Sequence, residues 1–179
     1  MIRNVAVFLG SGNPRIPEFR QAVTDFAGYL ADHDMTLIFG GSSSGMMKLL
    51  ADTMLAKNGK AVGVFSRCLS AKYLRDDLTE TVITETLAER KAEMLRRADA
   101  VAALPGSVGT FDELFDALAQ RRIGAFDHPV GVLNVNGFFD PVFALLQNSR
   151  EAGFSSPRTC GLLQCGSTPE ELFRKFRAC

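Results

Sequence analysis

The chain has 179 residues and equal numbers of basic and acidic side chains, 20 of each, so its formal net charge at pH 7 is zero. This balance excludes the bulk positive field of a nucleic-acid-binding or membrane-surface protein, and we expect neither kind of partner. No apolar run approaches the roughly 20 residues that cross a bilayer. With 46% hydrophobic residues, the chain is typical of a single globular domain over residues 1–179.

Residues that could ligate a metal are few and dispersed. None of the four cysteines belongs to a C-x-x-C pair, and the two histidines are far apart; these residues are Cys68, Cys160, Cys165, Cys179, His33 and His128. We therefore expect no metal site and free thiols, as in a cytoplasmic protein. The chain enters a strand pattern within its first residues, so no signal peptide is predicted.

Strand-like and helix-like segments alternate in chain order. Short apolar runs predict mostly buried strands at residues 5–9, 36–39, 61–65, 81–84, 100–104, 129–133 and 162–164. Apolar residues at helical spacing predict helices at residues 17–30, 46–58, 71–74, 87–98, 111–122, 141–151 and 169–176. Strand 81–84 has polar flanks typical of a sheet edge, and residues 66–79 give the weakest signal. The alternation predicts an α/β fold: a Rossmann-like, doubly wound parallel sheet flanked by helices on both faces.

Three glycine-rich turns each follow a predicted strand, at residues 10–12, 40–45 and 106–109. The carboxyl ends of parallel strands meet at one edge of a sheet, where ligands bind near the switch in strand order. Because tight turns need glycine in any case, one such turn carries little information. Three of them at strand ends favour a phosphate or nucleotide site.

The third turn has the strongest pattern. A buried strand, the turn 106–109 and a helix start form a phosphate cradle typical of α/β proteins. Gly106 and Gly109 permit backbone angles that side chains forbid, and they let a ligand approach the main chain. The first N–H groups of the helix then point at the ligand. The competing interpretation is a capping box of Thr110 and Glu113, the pattern that also opens the helix at residues 168–171.

Other well-known motifs fit poorly. Residues 10–15 lack the third glycine of the dinucleotide fingerprint, and residues 40–48 lack the contiguous Gly-Lys-Ser/Thr of a P-loop. No lysine stands in a pyridoxal phosphate context, so amino-acid decarboxylation has little support and no cofactor is expected.

A charged helix precedes the cradle. Periodicity alone favours a solvated face in which Glu93 and Arg97 form an i,i+4 pair. Taken together, however, the segments ERKAEM at 89–94 and LPGSVGTFDE at 104–113 resemble the Lonely Guy (LOG) family of cytokinin-activating phosphoribohydrolases. The pattern of that family is P-G-G-x-G-T-x-x-E, preceded by an R-K helix. The turn at 40–47 and the strand at 129–134 resemble further family segments, so the likeness covers nearly the whole chain.

The resemblance implies hydrolysis of the N-glycosidic bond of a purine nucleoside 5'-monophosphate, including N6-modified adenine nucleotides, to free base and ribose 5-phosphate. It implies that Arg90 and Glu113 are the catalytic pair and that no metal is required. It also implies a homodimer or a larger even oligomer. The substrate and phosphate site that we assign from it comprises Gly10, Ser11, Gly40, Gly41, Gly45, Met46, Lys91, Pro105, Gly106, Ser107, Val108, Gly109 and Thr110.

Glycosidic cleavage builds positive charge on the ribose, which suits the predicted pair. A carboxylate such as Glu113 stabilises that charge and can orient or activate water. We expect Glu113 to stay ionised, because a helix start favours the charged form. The planar cation of Arg90 suits a phosphate or the departing base. Because changes of surface charge usually cost little stability, we predict that Arg90→Ala removes activity while the fold survives.

Three residues depart from the family pattern. Ser107 replaces the second glycine of P-G-G, Ala88 stands where histidine is frequent, and Lys48 stands where glycine is usual. Ser107 either adds a hydroxyl donor or blocks close approach to the backbone. Ser107 and the missing histidine leave an alternative: a non-catalytic carrier of a nucleotide or phosphorylated cofactor, similar to molybdenum-cofactor carrier proteins. Tight binding without turnover would distinguish it.

Overall fold

The structure is a computed structural model that describes all 179 residues. Seven strands are present: β1 (Asn4–Phe8), β2 (Thr36–Phe39), β3 (Ala61–Ser66), β4 (Glu80–Thr84), β5 (Ala100–Ala103), β6 (Val130–Leu133) and β7 (Leu163–Gly166). The helices are α1 (Pro17–Asp32), α2 (Gly45–Ala56), α3 (Leu87–Arg97), α4 (Val108–Ile123), α5 (Asp140–Glu151), α6 (Pro157–Cys160) and α7 (Pro169–Phe176). Two short 3-10 turns, Ala71–Tyr73 and Val135–Gly137, follow β3 and β6.

All seven strands form one parallel sheet in the spatial order β4-β3-β2-β1-β5-β6-β7. The chain moves outward from β1 to the edge strand β4 and then crosses back to β5, on the other side of β1. These two central strands pair from Val5 with Ala100 to Phe8 with Ala103. Because the direction of winding reverses between them, a crevice opens outside their carboxyl ends.

The central strand β1 contributes side chains to two hydrophobic cores, one on each face of the sheet. Val5 and Val7 pack with residues of α1, α2 and α7 on one face, whereas Ala6 and Phe8 pack with residues of α3 and α4 on the other. Successive side chains of a strand point to opposite faces, so a strand covered on both sides must be apolar at every position. This is the physical reason for the uninterrupted apolar run in the sequence.

The predicted doubly wound parallel sheet is confirmed, with helices on both of its faces. Strand β4 lies at an edge, as its polar flanks indicated. Helix α4 begins earlier than predicted, because Ser107 rather than Thr110 is its N-cap residue. The segment 71–74 is a 3-10 turn, and α6 and the turn Val135–Gly137 were not predicted. All four cysteines are free thiols. No helix combines the length and apolar character that a membrane span requires.

Candidate active site

A cavity of about 550 Å³ opens at the carboxyl ends of β1, β2 and β5. The three glycine-rich turns meet there, since Gly10, Gly40 and Gly109 all line it. The sequence therefore predicted correctly that these turns share one edge of the sheet. The complete lining of the cavity is Leu9, Gly10, Ser11, Gly40, Ser42, Ser44, Met47, Phe65, Leu69, Ser70, Tyr73, Leu87, Arg90, Lys91, Ser107, Gly109, Thr110, Asp112 and Glu113.

Arg90 and Glu113 form an ion pair in the wall of this cavity. Nη1 of Arg90 lies 2.7 Å from Oε1 of Glu113, and each side chain is only 8% exposed. Nε of Arg90 donates to the carbonyl oxygen of Val64 at 2.8 Å, which fixes the guanidinium plane across the end of β3. Nη2 donates no hydrogen bond within the chain, so its N–H groups remain available to a ligand.

The capping interpretation of Glu113 is wrong. Helix α4 has its N-cap at Ser107, which places Glu113 in the second turn, where its carboxylate reaches Arg90 instead of the helix start. In α7 the same T-x-x-E pattern does form a cap: the Thr168 hydroxyl accepts from the Glu171 amide at 3.2 Å, and the Glu171 carboxylate accepts from the Ser167 amide at 2.8 Å. The two copies of the pattern therefore have different roles.

Burial controls the charge of Glu113. Loss of hydration raises the pKa of the Glu113 carboxyl above its ordinary value of 4.5, while the charge of Arg90 and its hydrogen bond oppose this shift. Our expectation that the helix start would favour the ionised form was wrong, because Glu113 lies beyond the first turn, where the dipole acts. A carboxyl with a raised pKa in a cavity is typical of acid–base residues in catalytic sites.

Gly40 makes room for the guanidinium. A Cβ atom at this position would overlap Nη2 of Arg90 and would lie 3.2 Å from Sδ of Met47. The backbone of Gly40 does not have a positive φ, so the glycine is required by space rather than by conformation. Its predicted membership of the site therefore has a direct physical reason.

The turn after β5 presents a row of free amides. None of the backbone N–H groups of residues 106–110 donates a hydrogen bond within the chain, and the first amide of α4 that does so is Phe111, which donates to Ser107 at 3.0 Å. Free amides at a helix N-terminus attract anions, with the helix dipole adding to the attraction. The segment has the donors that a phosphate requires.

The glycines of this turn have a different role from the one predicted. Neither Gly106 nor Gly109 has a positive φ, so neither supplies a backbone angle forbidden to other residues. A Cβ at Gly106 would overlap Oγ1 of Thr110 and approach the amide of Gly10, so this glycine allows the turns after β1 and β5 to pack together. A Cβ at Gly109 would meet no atom within 4 Å, which leaves open space over the free amides.

Ser107 fits its position without strain. Its φ of −127° is ordinary extended backbone, so the family's second glycine is not needed here for conformation. Its side chain makes no capping hydrogen bond and lines the cavity. The hydroxyl is thus an additional free donor beside the amides, the first of the two roles considered for this serine.

Lys91 and Asp112 form a second charged pair at the cavity. Nζ of Lys91 lies 2.9 Å from Oδ1 of Asp112, and this hydrogen bond raises the pKa of the lysine above its ordinary value. Lys91 is the one lysine in the lining. It is therefore a cation at the same wall of the cavity as Arg90, which precedes it in the chain.

A smaller cavity of about 440 Å³ adjoins the first and shares Gly10, Ser11 and Ser107 with it. Three residues that we assigned to the site from the sequence line only this second cavity: Met46, Pro105 and Gly106. Three further assigned residues line neither: Gly41 packs on Gly63, Gly45 packs under the carbonyls of residues 11–12, and the Val108 side chain is 80% exposed.

Sequence reasoning missed much of the apolar wall. Met47, Phe65, Leu69, Tyr73 and Leu87 line the cavity but were not assigned to it. Met47 follows an assigned residue directly and could have been included. Leu69 and Tyr73 belong to the weakly patterned segment 66–79, where no hydrophobic period indicated which side chains face inward.

Comparison with known proteins places this geometry in a family. Residues 47–176 match the family model described as "possible lysine decarboxylase". The probable cytokinin riboside 5'-monophosphate phosphoribohydrolase LOGL2 of Oryza sativa subsp. japonica is 32% identical over 175 residues, which are 97% of this chain and 72% of that protein. The cytokinin riboside 5'-monophosphate phosphoribohydrolase LOG5 of Arabidopsis thaliana is 32% identical over 98% of this chain and 78% of its own length.

Solved structures share the architecture. The molybdenum cofactor binding protein of Rippkaea orientalis superposes with a TM-score of 0.73 at 19% identity, covering 99% of this chain and 97% of that chain. The molybdenum cofactor carrier protein of Chlamydomonas reinhardtii gives a TM-score of 0.72 at 15% identity, with coverages of 99% and 98%. At these identities the likeness establishes the fold alone. The sequence relatives go further, and the chain belongs to the LOG family, whose curated members are named cytokinin riboside 5'-monophosphate phosphoribohydrolases.

Proposed function

We propose that this protein hydrolyses the N-glycosidic bond of purine nucleoside 5'-monophosphates, releasing the free base and ribose 5-phosphate. The observation that carries the proposal is the buried Arg90–Glu113 pair in one cavity with the free amides of residues 106–110. A phosphate held by these amides would place the attached sugar within the cavity that contains the carboxylate. The names of the LOG relatives support the same reaction.

Glu113 is the residue best suited to the reacting carbon. The bond from C1' to the base nitrogen breaks, the base takes a proton, and the oxygen of a water molecule bonds to C1'. Positive charge develops on the ribose as the base departs, and a carboxylate beside the ring stabilises it. The same carboxylate can accept the proton of the attacking water.

Arg90 has two functions in this proposal. It compensates the charge of Glu113 in a site that is largely shielded from water, and its free Nη2 can bind the substrate phosphate or the departing base. Lys91 adds a second fixed cation at the same wall. Both cations are paired with carboxylates, so the free amides of residues 106–110 are the groups that would attract the phosphate of a nucleoside monophosphate.

Decarboxylation of an amino acid, named by the family description, suits the site less well. A lysine that forms a Schiff base must give up its proton, whereas Asp112 raises the pKa of Lys91, the lysine in the cavity lining. The apolar wall around Phe65, Leu69 and Tyr73 instead suits a purine, including an adenine with an N6 substituent, as the names of the relatives indicate for those proteins.

The test is incubation with AMP and with N6-isopentenyl-AMP, followed by chromatography for the free base. We expect release of the base by the parent and none by Glu113→Gln, which keeps the size of the side chain and loses its charge. Glu171→Gln alters the same T-x-x-E pattern in α7, outside the cavity, and should retain parent activity. A parent that releases no base, or an active Glu113→Gln variant, would contradict the proposal. Tight nucleotide binding without turnover would favour the carrier alternative.

A further inference from the structure

The segment of residues 67–79, here called the strap, joins β3 to β4 and forms one wall of the cavity. Leu69, Ser70 and Tyr73 of the strap line it. The strap rests on the turn after β2, because the Tyr73 carbonyl accepts from the Ser43 amide at 2.7 Å and from the Ser43 hydroxyl at 3.1 Å. The cradle of residues 106–110 follows β5, across β1 from β2 and β3, so the strap and the cradle form opposite walls.

Arg75 is the buried charge of the strap, with a side chain only 8% exposed. Its Nε and Nη2 bind the two carboxylate oxygens of Asp77 at 2.5 and 2.8 Å. Its Nη1 lies 2.7 Å from Oδ1 of Asp52 and donates to the carbonyl of Lys48 at 3.3 Å, both in α2. Its own amide donates to Gly41 at 3.1 Å. One residue thus ties the strap to α2 and to the turn before it.

We propose that Arg75 is a positioning residue that holds the strap against α2 and so determines how tightly the cavity binds the base end of its nucleotide. The inference rests on the proposed function. With the phosphate at the free amides and the sugar at Glu113, the base would extend toward the wall that carries Leu69 and Tyr73. These two residues are 38% and 42% exposed and belong to the strap, so a shift of the strap would shift this wall of the cavity.

Removal of Arg75 should loosen the strap without unfolding the protein. Its carboxylate partners, Asp52 and Asp77, are 40% and 58% exposed and would remain hydrated. A severe loss of stability follows when the partner left behind is a buried charge, which is not the case here. Tethering the strap reduces the conformational freedom that binding would otherwise have to remove.

The test compares a ligand that reaches the strap with one that does not. AMP carries a base, whereas the product ribose 5-phosphate has only the end that meets the cradle. For Arg75→Gln we expect the KM for AMP to rise about tenfold, equivalent to roughly 1.4 kcal/mol of binding. We expect kcat within twofold of the parent and an unchanged inhibition constant for ribose 5-phosphate. Arg75→Lys, which can keep one of the ion pairs, should recover part of the loss.

A matched pair of variants on α2 tests the link itself. Asp52→Asn removes the carboxylate that Arg75 contacts, and it should raise the KM for AMP in the same direction. Lys48→Met removes the other ion pair of Asp52, at 2.5 Å, and leaves the contact to Arg75 in place. This variant should behave as the parent. Thermal unfolding of each variant verifies the fold, and Asp52→Asn carries the test if Arg75→Gln does not fold.

Equal weakening of AMP and ribose 5-phosphate in Arg75→Gln would overturn the proposal, as would a change in kcat with KM unaltered. Calorimetric titration of both ligands separates this inference from the proposed function. If the parent binds AMP without hydrolysing it and Arg75→Gln weakens only AMP, the proposed reaction fails while the role of Arg75 stands. If the parent binds neither ligand, both proposals fail.

Discussion

Arg90 and Glu113 are both buried, and each compensates the charge of the other. Either charge buried alone would lower the stability of the fold. Each side chain is 8% exposed, and their contact is 2.7 Å. The sequence pattern of α3 suggested a solvated helix, and most of its charged residues are indeed at least partly exposed. Arg90 is the exception, because it is buried. The expectation that Arg90→Ala spares the fold was therefore based on a wrong premise, because the change would leave a buried carboxylate unpaired.

A double-mutant cycle tests this coupling. Arg90→Met should lower the free energy of unfolding by about 3–5 kcal/mol, because Glu113 loses its counter-charge inside the protein. Arg90→Met combined with Glu113→Leu should be less destabilised than Arg90→Met alone, since no buried charge then remains. Urea denaturation of the two single variants and the double variant measures the coupling. Simple addition of the single costs would contradict it.

The raised pKa of Glu113 predicts the acid side of the pH–activity profile. Catalysis needs the carboxylate form, which is lost as the pH falls through the pKa of the group. Because burial raises this pKa, kcat/KM should decline at a pH above the ordinary glutamate value of 4.5. The profile between pH 4 and 9, with circular dichroism to verify folding at each pH, measures it. A decline that begins only below 4.5 would show that the carboxylate is not desolvated.

Among the helices and strands, the hydrophobic pattern of the sequence correctly predicted which segments are buried strands. Strand β1 is apolar throughout because it is covered on both faces, and this is visible in the sequence. The start of α4 was not predictable in the same way, because Ser107 and Thr110 are both acceptable N-cap residues and tertiary packing decides between them. The capping box at Thr86 and Glu89, which orients the start of α3, was visible in the sequence but was overlooked.

The candidate site was predicted unevenly for the same reason. Motif residues such as Gly40, Arg90 and Glu113 meet in the cavity because they follow strands or lie on helices whose order is readable. The strap residues Leu69 and Tyr73 were missed because contacts distant in sequence, such as Arg75 with Asp52, hold that segment. The hydrophobic period of a segment carries no information about such long-range contacts.

Helix α3 carries a charge cluster that should make its stability sensitive to acid. Hydrogen bonds from Arg96 and then Arg97 lower the pKa of Glu93 to about 2. Because the pKa is lowered on folding, the cluster stabilises the fold fully at pH values above 4.5, the ordinary pKa of the group. This contribution is lost as the pH falls toward 2. Glu93→Gln should cost about 1 kcal/mol at pH 7, a modest value because the cluster lies near the surface. The difference from the parent should disappear between pH 4.5 and 2; a constant difference would contradict the assignment.

For the whole molecule, the position of the cavity matters more than any one residue in it. Its lining comes from β2, β3 and the strap on one side of β1 and from the cradle after β5 on the other. The two halves of the sheet also meet through the packing of Gly10 against Gly106. A ligand bound there contacts both halves and should stabilise their association against unfolding.

Ligand-dependent unfolding tests this arrangement without requiring turnover. At a free concentration of about 100 times its dissociation constant, ribose 5-phosphate should add roughly 2.7 kcal/mol to the free energy of unfolding. For a domain of this size, that corresponds to an increase in Tm of about 5–10 °C. Ribose at the same concentration and ionic strength lacks the phosphate that the amides of residues 106–110 would bind, and it should leave Tm unchanged. Ser107→Gly removes one hydroxyl donor but keeps all five amides, so most of the increase should remain. An equal increase with ribose, or none with ribose 5-phosphate, would show that the cradle does not hold a phosphate.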